Sequence, residues 1–253
     1  MFQYAALLSI AHFNGYEYGI PLQNEESDSH KRLHLKDAFN LSAKDSTHIQ
    51  YPVVHEPSYN FCRAMLFVND NVDICGYFQS ELYFYNRKEL IFKEYTFKTH
   101  ILETAKSLRA KISSPVISVH FRYGDYTVLS DKHPPCEYEY YEQALSVMPP
   151  NVLILGFSDD YRLAKEMLDR LGRPYRLNMS YEFVHVNNDL VDMCLMTMCD
   201  YHVIANSSFS WWGAYLSKSK LVIAPSRWFG ACVEPPSWPK DSKNVHCDGW
   251  FVI

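Results

Sequence analysis

The stretch ISVHFRYGDY, residues 117–126, reads as a buried strand that ends abruptly in His, Arg, Gly and Asp. Just upstream, Ser113-Ser114-Pro115 breaks the chain, and downstream the texture becomes a regular alternation. VISVHF (116–121), NVLILGF (151–157), YHVIAN (201–206) and LVIAP (221–225) are apolar runs of strand length. Between them lie four stretches that predict helices: YEYYEQALSVM (138–148), DDYRLAKEMLDRLG (159–172), LVDMCLMTMCD (190–200) and SSFSWWGAYLS (207–217). Pro149-Pro150 ends the first, acidic residues open the second and Gly172 closes it. Strands alternating with helices predict a parallel, doubly wound α/β sheet. Ligands of such sheets bind beyond the carboxyl ends of the strands. Three polar clusters fall there and are expected to converge: Arg122, Gly124 and Asp125; Ser158, Asp159 and Asp160; Asn206, Ser207 and Ser208.

The upstream part is less regular. Residues 1–18 read as a helix, and 21–60 as polar surface structure broken by Pro21, Pro52 and Pro57. Residues 61–84 read as strand and loop, and 85–112 as one charged, periodic helix. The boundary near 113–115 divides an N-terminal domain (1–114) from a Rossmann-like one (115–253).

Bulk properties narrow the function. The 253 residues carry a formal net charge of −5, and no run of Lys/Arg exceeds two, which argues against a nucleic-acid partner. No segment has 18 consecutive apolar residues, so none reads as a membrane span. Aromatics make up 15% of the chain, suiting sugar-contacting surfaces or a thick aromatic core. Seven cysteines include no C-x-x-C pair, so zinc is not expected. Cys194, Cys199 and His202 read as buried helix and strand residues rather than as metal ligands. Asn40-Leu41-Ser42 and Asn178-Met179-Ser180 are glycosylation acceptors if the chain enters the secretory pathway.

Each cluster has a functional and an ordinary reading. A guanidinium at a strand end matches phosphate oxygens, with Gly124 allowing close approach and Asp125 orienting the Arg or meeting a hydroxyl. The same residues also describe a surface loop with an Arg–Asp ion pair. Ser207 and Ser208 open a helix whose amides and dipole favour an anion, and Ser207 is equally an ordinary cap. Carboxylates after a strand grip a ribose or base edge, and they also cap helices. There is no G-x-G-x-x-G, no G-x-x-x-x-G-K-[ST], no H-E-x-x-H, no G-x-S-x-G and no D-x-D. Together the clusters suggest a diphosphate nucleotide held by an Arg and a helix terminus.

The ordered motifs H-x-R-x-G-D (120–125), F-S-D-D (157–160) and N-S-S-F-S-W-W-G-A (206–214) resemble those of the α-1,2-fucosyltransferases of glycosyltransferase family 11. The likeness extends to Gly76–Glu81, Tyr83-Phe84, Asp192-Met193, Leu195-Met196, Pro225 and Trp228-Phe229. Met1-Phe2-Gln3-Tyr4-Ala5 resembles the tail of the family's N-terminal motif, so its first strand and Gly-Asn-Gln loop are expected to be missing from an incomplete N-terminal domain. The resemblance implies a GT-B-like fold of two Rossmann-like domains. It also implies GDP-fucose as donor, no metal or other cofactor, and inverting transfer to the 2-hydroxyl of a terminal galactose on a glycan. Carried over by position, Arg122 holds the β-phosphate and stabilises the leaving GDP, with His120, Gly124 and Asp125 shaping that site. Ser158, Asp159 and Asp160 lie near the guanosine, while Asn206, Ser207 and Ser208 face the diphosphate or fucose. Asp125 is a candidate base. Many relatives have a second Arg where this chain has Tyr123. The implied setting is the Golgi lumen, held through an anchor absent from this chain, or the cytoplasm in a bacterial member. The competing readings are a catalytically impaired relative that binds nucleotide sugar or glycan, and an unrelated Rossmann-type binding domain.

Overall fold

A computed structural model describes residues 1–21, 35–46, 50–172, 180–183, 188–233, 238 and 242–253. The chain forms two compact units: Met1–Lys98 with Lys243–Cys247, and Thr99–Ser242 with Asp248–Ile253.

The first unit is built around α1 (Phe2–Asn14), whose Phe2, Tyr4, Ala5, Ala6, Leu8, Ile10 and Ala11 are all buried. Gly15 ends it at φ +74°, a left-handed turn that lets its N–H reach the Ala11 carbonyl. Strand β1 (Gly19–Pro21) pairs in parallel with β2 (Lys44–Ser46), and β3 (Val53–His55) with β4 (Asp73–Cys75). The short α2 (Leu35–Ala38) lies between β1 and β2 in the chain. The N-terminal domain expected to hold a Rossmann-like sheet thus has two separate parallel pairs among the described residues.

The single helix expected over 85–112 is broken into α3 (Lys88–Glu94) and α4 (Thr99–Arg109). Tyr95 and Phe97 are both buried. Tyr95 closes α3 with its N–H on the Ile91 carbonyl, and the chain then leaves the helix so that Phe97 makes an antiparallel bridge to Phe39, with ring centroids 4.7 Å apart. Much of the aromatic content therefore goes into this core, where Phe2, Tyr4, Phe39, Tyr83, Phe84 and Tyr95 are buried.

The second unit is the doubly wound domain. Its elements are β5 (Val116–Phe121), α5 (Tyr138–Ser146), β6 (Leu153–Ser158), α6 (Tyr161–Leu171) and β7 (Tyr181–Phe183), then α7 (Asp189–Met196), β8 (Tyr201–Val203), α8 (Ser208–Tyr215), β9 (Leu221–Ala224) and β10 (Phe251–Val252). All pairings are parallel, in the order β10-β9-β8-β5-β6-β7. The α4 helix groups with this unit because it packs against α7. On one face Ile117, Val119, Phe121, Val203 and Ile223 pack against Tyr141, Leu145, Ala164 and Leu168. The chain winds outward from β5 through β6 to β7, then returns to β8 on the other side of β5. That reversal makes a crevice at the carboxyl ends of β5 and β8, the usual ligand position in open parallel sheets.

Candidate active site

The three predicted clusters sit at the ends of β5, β6 and β8, which are neighbours in the sheet. Arg122 leaves β5 and joins the first two. Its Nη1 is 2.8 Å from Asp159 Oδ2, and its Nη2 is 2.6 Å from Asp125 Oδ1. Asp159 Oδ1 accepts a 2.9 Å hydrogen bond from the Tyr123 amide. Gly124 has a specific reason to be Gly, because a Cβ there would lie 2.3 Å from Asp159 Oδ2. Residues Gly124–Thr127 form a short 3₁₀ turn that carries Asp125 outward, its side chain 54% exposed.

Tyr126 links Arg122 to the third cluster. The Arg122 guanidinium lies 5.1 Å from the Tyr126 ring centroid, and the Tyr126 hydroxyl donates to the Asn206 carbonyl at 3.1 Å. Burial above all holds the Tyr126 phenol up at about 12, so it stays neutral. Ser207, directly after Asn206, caps α8 by accepting from the Phe209 amide, and Ser208 is exposed on the first turn. His120 is buried on β5 with its ring 5.6 Å from that of Phe209, again joining the β5 end to the start of α8. Burial, helped by Arg122, lowers its pKa to about 3, so it is a neutral imidazole with Nδ1 lacking a hydrogen-bond partner.

Other assigned groups turn inward. The buried Asn206 amide donates to Pro134 O at 2.9 Å and Trp228 O at 3.1 Å, and its oxygen accepts from Cys136 Sγ at 3.6 Å. Its side chain is a bracket holding three loop positions rather than a group turned toward a ligand. Ser158 Oγ closes a local turn with the Asp160 backbone. Asp160 caps α6 through a 3.0 Å bond from the Leu163 amide, the ordinary reading of that residue.

Two residues were missed in the sequence. Asp192, on α7, interacts with Tyr161 at the start of α6 and so stands at the carboxyl end of β6. It is half-buried, its Oδ1 has no partner, and burial followed by Asp189 raises its pKa to about 7. The Asp192-Met193 pair belongs to the family likeness, but nothing in a helical Asp-Met pair distinguishes a site residue from a surface one. His133 stacks on Tyr126, with centroids 5.0 Å apart and rings at 20°.

Among the described residues no group of three or more His, Cys, Asp or Glu is placed to hold a metal ion. Asn40 is exposed. Asn178 lies outside the described residues. No described helix is long and apolar enough to cross a membrane.

The family model for glycosyl transferase family 11 matches residues 1–233. The chain belongs to glycosyl transferase family 11. An alpha-1,2-colitosyltransferase of Escherichia coli is 34% identical over 168 residues, covering 63% of this chain and 57% of the relative. The O-antigen biosynthesis glycosyltransferase WbnK, also of Escherichia coli, is 29% identical over 207 residues, covering 77% of this chain and 64% of the relative. These matches span less than two thirds of either relative's length. Among solved structures, the fucosyltransferase NodZ from Bradyrhizobium is similar with a TM-score of 0.52 at 14% identity, over 85% of this chain and 88% of that one. POFUT1 in complex with GDP is similar with a TM-score of 0.51 at 10% identity, over 88% and 92%. At such identities the likeness shows the fold, which is α/β and GT-B-like, as expected.

Proposed function

We propose that this family 11 member transfers L-fucose from GDP-fucose to the 2-hydroxyl of a terminal galactose on a glycan, with inversion and without a metal. The observation carrying this reading is the position of Arg122 at the β5/β8 reversal, linked through Tyr126 to Asn206 just before α8, where Ser208 is exposed. When the acceptor oxygen attacks the anomeric carbon, the bond to the diphosphate breaks and its electron pair leaves on GDP. Arg122 and the α8 amides receive that charge, the task a metal performs in other glycosyltransferases. Asp159 and Asp125 hold the guanidinium in place. Asp192 supplies the unpartnered carboxylate oxygen that the N–H edge of guanine would meet.

Support comes from the structural neighbours, among them NodZ soaked with GDP-fucose and POFUT1 in complex with GDP. The colitosyltransferase relative favours a second reading of the sugar, in which colitose replaces fucose. All seven cysteines are unpaired, which fits a reducing compartment such as the cytoplasm rather than the Golgi lumen. The test is incubation with labelled GDP-fucose and a terminal β-galactoside in the presence of EDTA. An α-1,2-linked product supports the proposal. Binding of GDP-fucose with no product would point instead to a non-catalytic relative.

A further inference from the structure

The reaction just proposed needs a group that takes the acceptor hydroxyl proton as its oxygen bonds to the sugar. We infer that His133 is that base. The inference rests on the reading of this site as a sugar transferase.

His133 lies against one ring, Tyr126, which also carries Arg122. The group that steadies the departing diphosphate and the group that takes the proton thus share one rigid mount. That mount is fixed from several sides. The Tyr126 hydroxyl bonds to Asn206 O, and the Asn206 amide bonds to Pro134 O, the carbonyl next to His133. The His133 amide donates to Leu129 O at 2.8 Å. Lys132 O and Asp131 O accept from the Gly230 and Cys232 amides, each at 2.8 Å. A Cβ on Gly230 would lie 2.2 Å from Asp131 O, so the loop is seated as tightly as Gly permits.

The other ionisable groups of the site are engaged elsewhere. Asp125 and Asp159 are both bound to Arg122, and Asp192 is the group assigned above to the guanine edge, at the carboxyl end of β6. Asp160 caps α6, and His120 is buried and fully neutral. His133 is partly exposed, and among the described residues its ring nitrogens make no hydrogen bond. Charges facing it are Asp125, which favours its protonation, and Lys132 and Arg122, which oppose it. Burial, joined by the two cations, outweighs Asp125 and keeps its pKa below that of an ordinary histidine, so it is neutral and ready to accept a proton near pH 7. In the step, the acceptor O–H proton moves to a His133 ring nitrogen, the new O–C bond forms, and the C–O bond to GDP breaks with its electrons on the phosphate.

The experiment compares the parent chain with His133→Phe, which keeps the stack on Tyr126, and His133→Gln, which keeps a polar side chain. Transfer is followed against pH with GDP-fucose and a β-galactoside, and GDP affinity is measured separately. Both variants should lose about 10²–10⁴-fold in kcat. GDP affinity should stay within about threefold, since one factor of three is well under the smallest loss of a phosphate contact. The acidic limb of the parent profile should vanish from the residual activity. A kcat near the parent's in either variant, or an acidic limb that persists, overturns the inference. Loss of GDP binding in both would make His133 a structural prop and also overturn it. A parent chain that transfers no sugar condemns the underlying reading and this inference with it, whereas an active parent with active variants condemns only the role of His133.

Discussion

Asp159 holds Arg122 and the Tyr123 amide on its two oxygens, at 2.8 and 2.9 Å, and this single carboxylate ties the end of β6 to the end of β5. The arrangement exists only because Gly124 leaves room for it. Gly124→Ala should push Asp159 away, costing about 1–3 kcal/mol of stability, the usual range for an inserted methyl group. GDP affinity should fall with it. Thermal unfolding and GDP titration of the same variant check both effects, and an unperturbed melting point would show that the turn yields freely.

Asn206→Ala should destabilise the second unit by about 2–4 kcal/mol. It removes the Asn206 donor from a buried carbonyl on Trp228 and a part-buried one on Pro134, and losing the partner of a buried group costs about 1–3 kcal/mol. The measurement is denaturant unfolding. A variant as stable as its parent but unable to bind GDP would restore Asn206 to the ligand-contacting role expected of it.

Arg122 faces two carboxylates, an unusual setting for a cation meant to meet a diphosphate. Asp125 is the more exposed of them and, while still bound to Arg122, puts a negative charge beside the arriving diphosphate. Asp125→Asn should therefore tighten GDP binding about two- to fivefold, the equivalent of an exposed ion pair of up to about 1 kcal/mol. Calorimetric titration reads this directly. Weaker binding in the variant would mean that Asp125 orients Arg122 more than it competes with the ligand.

Asp192 makes a prediction about pH. Its folded pKa, about 7, lies above the ordinary value of 3.8, because burial and then Asp189 disfavour its charge. The fold thus prefers the protonated form. Its contribution to stability is complete below pH 4 and is lost as pH rises through 7. Asp192→Asn should remove that dependence and melt above the parent at pH 8, with little difference at pH 4. The same variant should lose discrimination between GDP and ADP, because the carboxylate that meets the guanine edge is gone. A variant with unchanged pH dependence and unchanged selectivity would contradict both parts.

How much of this was legible in the sequence follows from burial. β5 and β6 are covered on both faces, so they read as continuous apolar runs with polar residues at their ends. β7 and β10 are short edge strands with half-exposed or exposed residues, and no apolar run announces them. Over 85–112 a helical period runs on through Tyr95 and Phe97, but the chain leaves the helix after Tyr95 so that Phe97 can bridge Phe39 in the aromatic core. At the site, the three clusters were visible but their division of labour was not. Asp159 and Asp160 are adjacent carboxylates after one strand, yet one holds Arg122 and the other caps a helix. That distinction depends on side-chain direction, which neighbouring positions in a sequence do not encode. Tyr126 and His133 come together through a turn and a loop with no periodicity at all, so no pattern could pair them.

The central claim is that one guanidinium at the β5/β8 reversal holds the diphosphate. Its most direct test is the dissociation constant for GDP measured by calorimetry on the chain and on Arg122→Ala. The account predicts that the variant binds GDP about 10²–10³-fold more weakly, the loss typical of one charge-stabilising donor, with an unchanged fold by circular dichroism. A folded variant that binds GDP within twofold of the parent would contradict it.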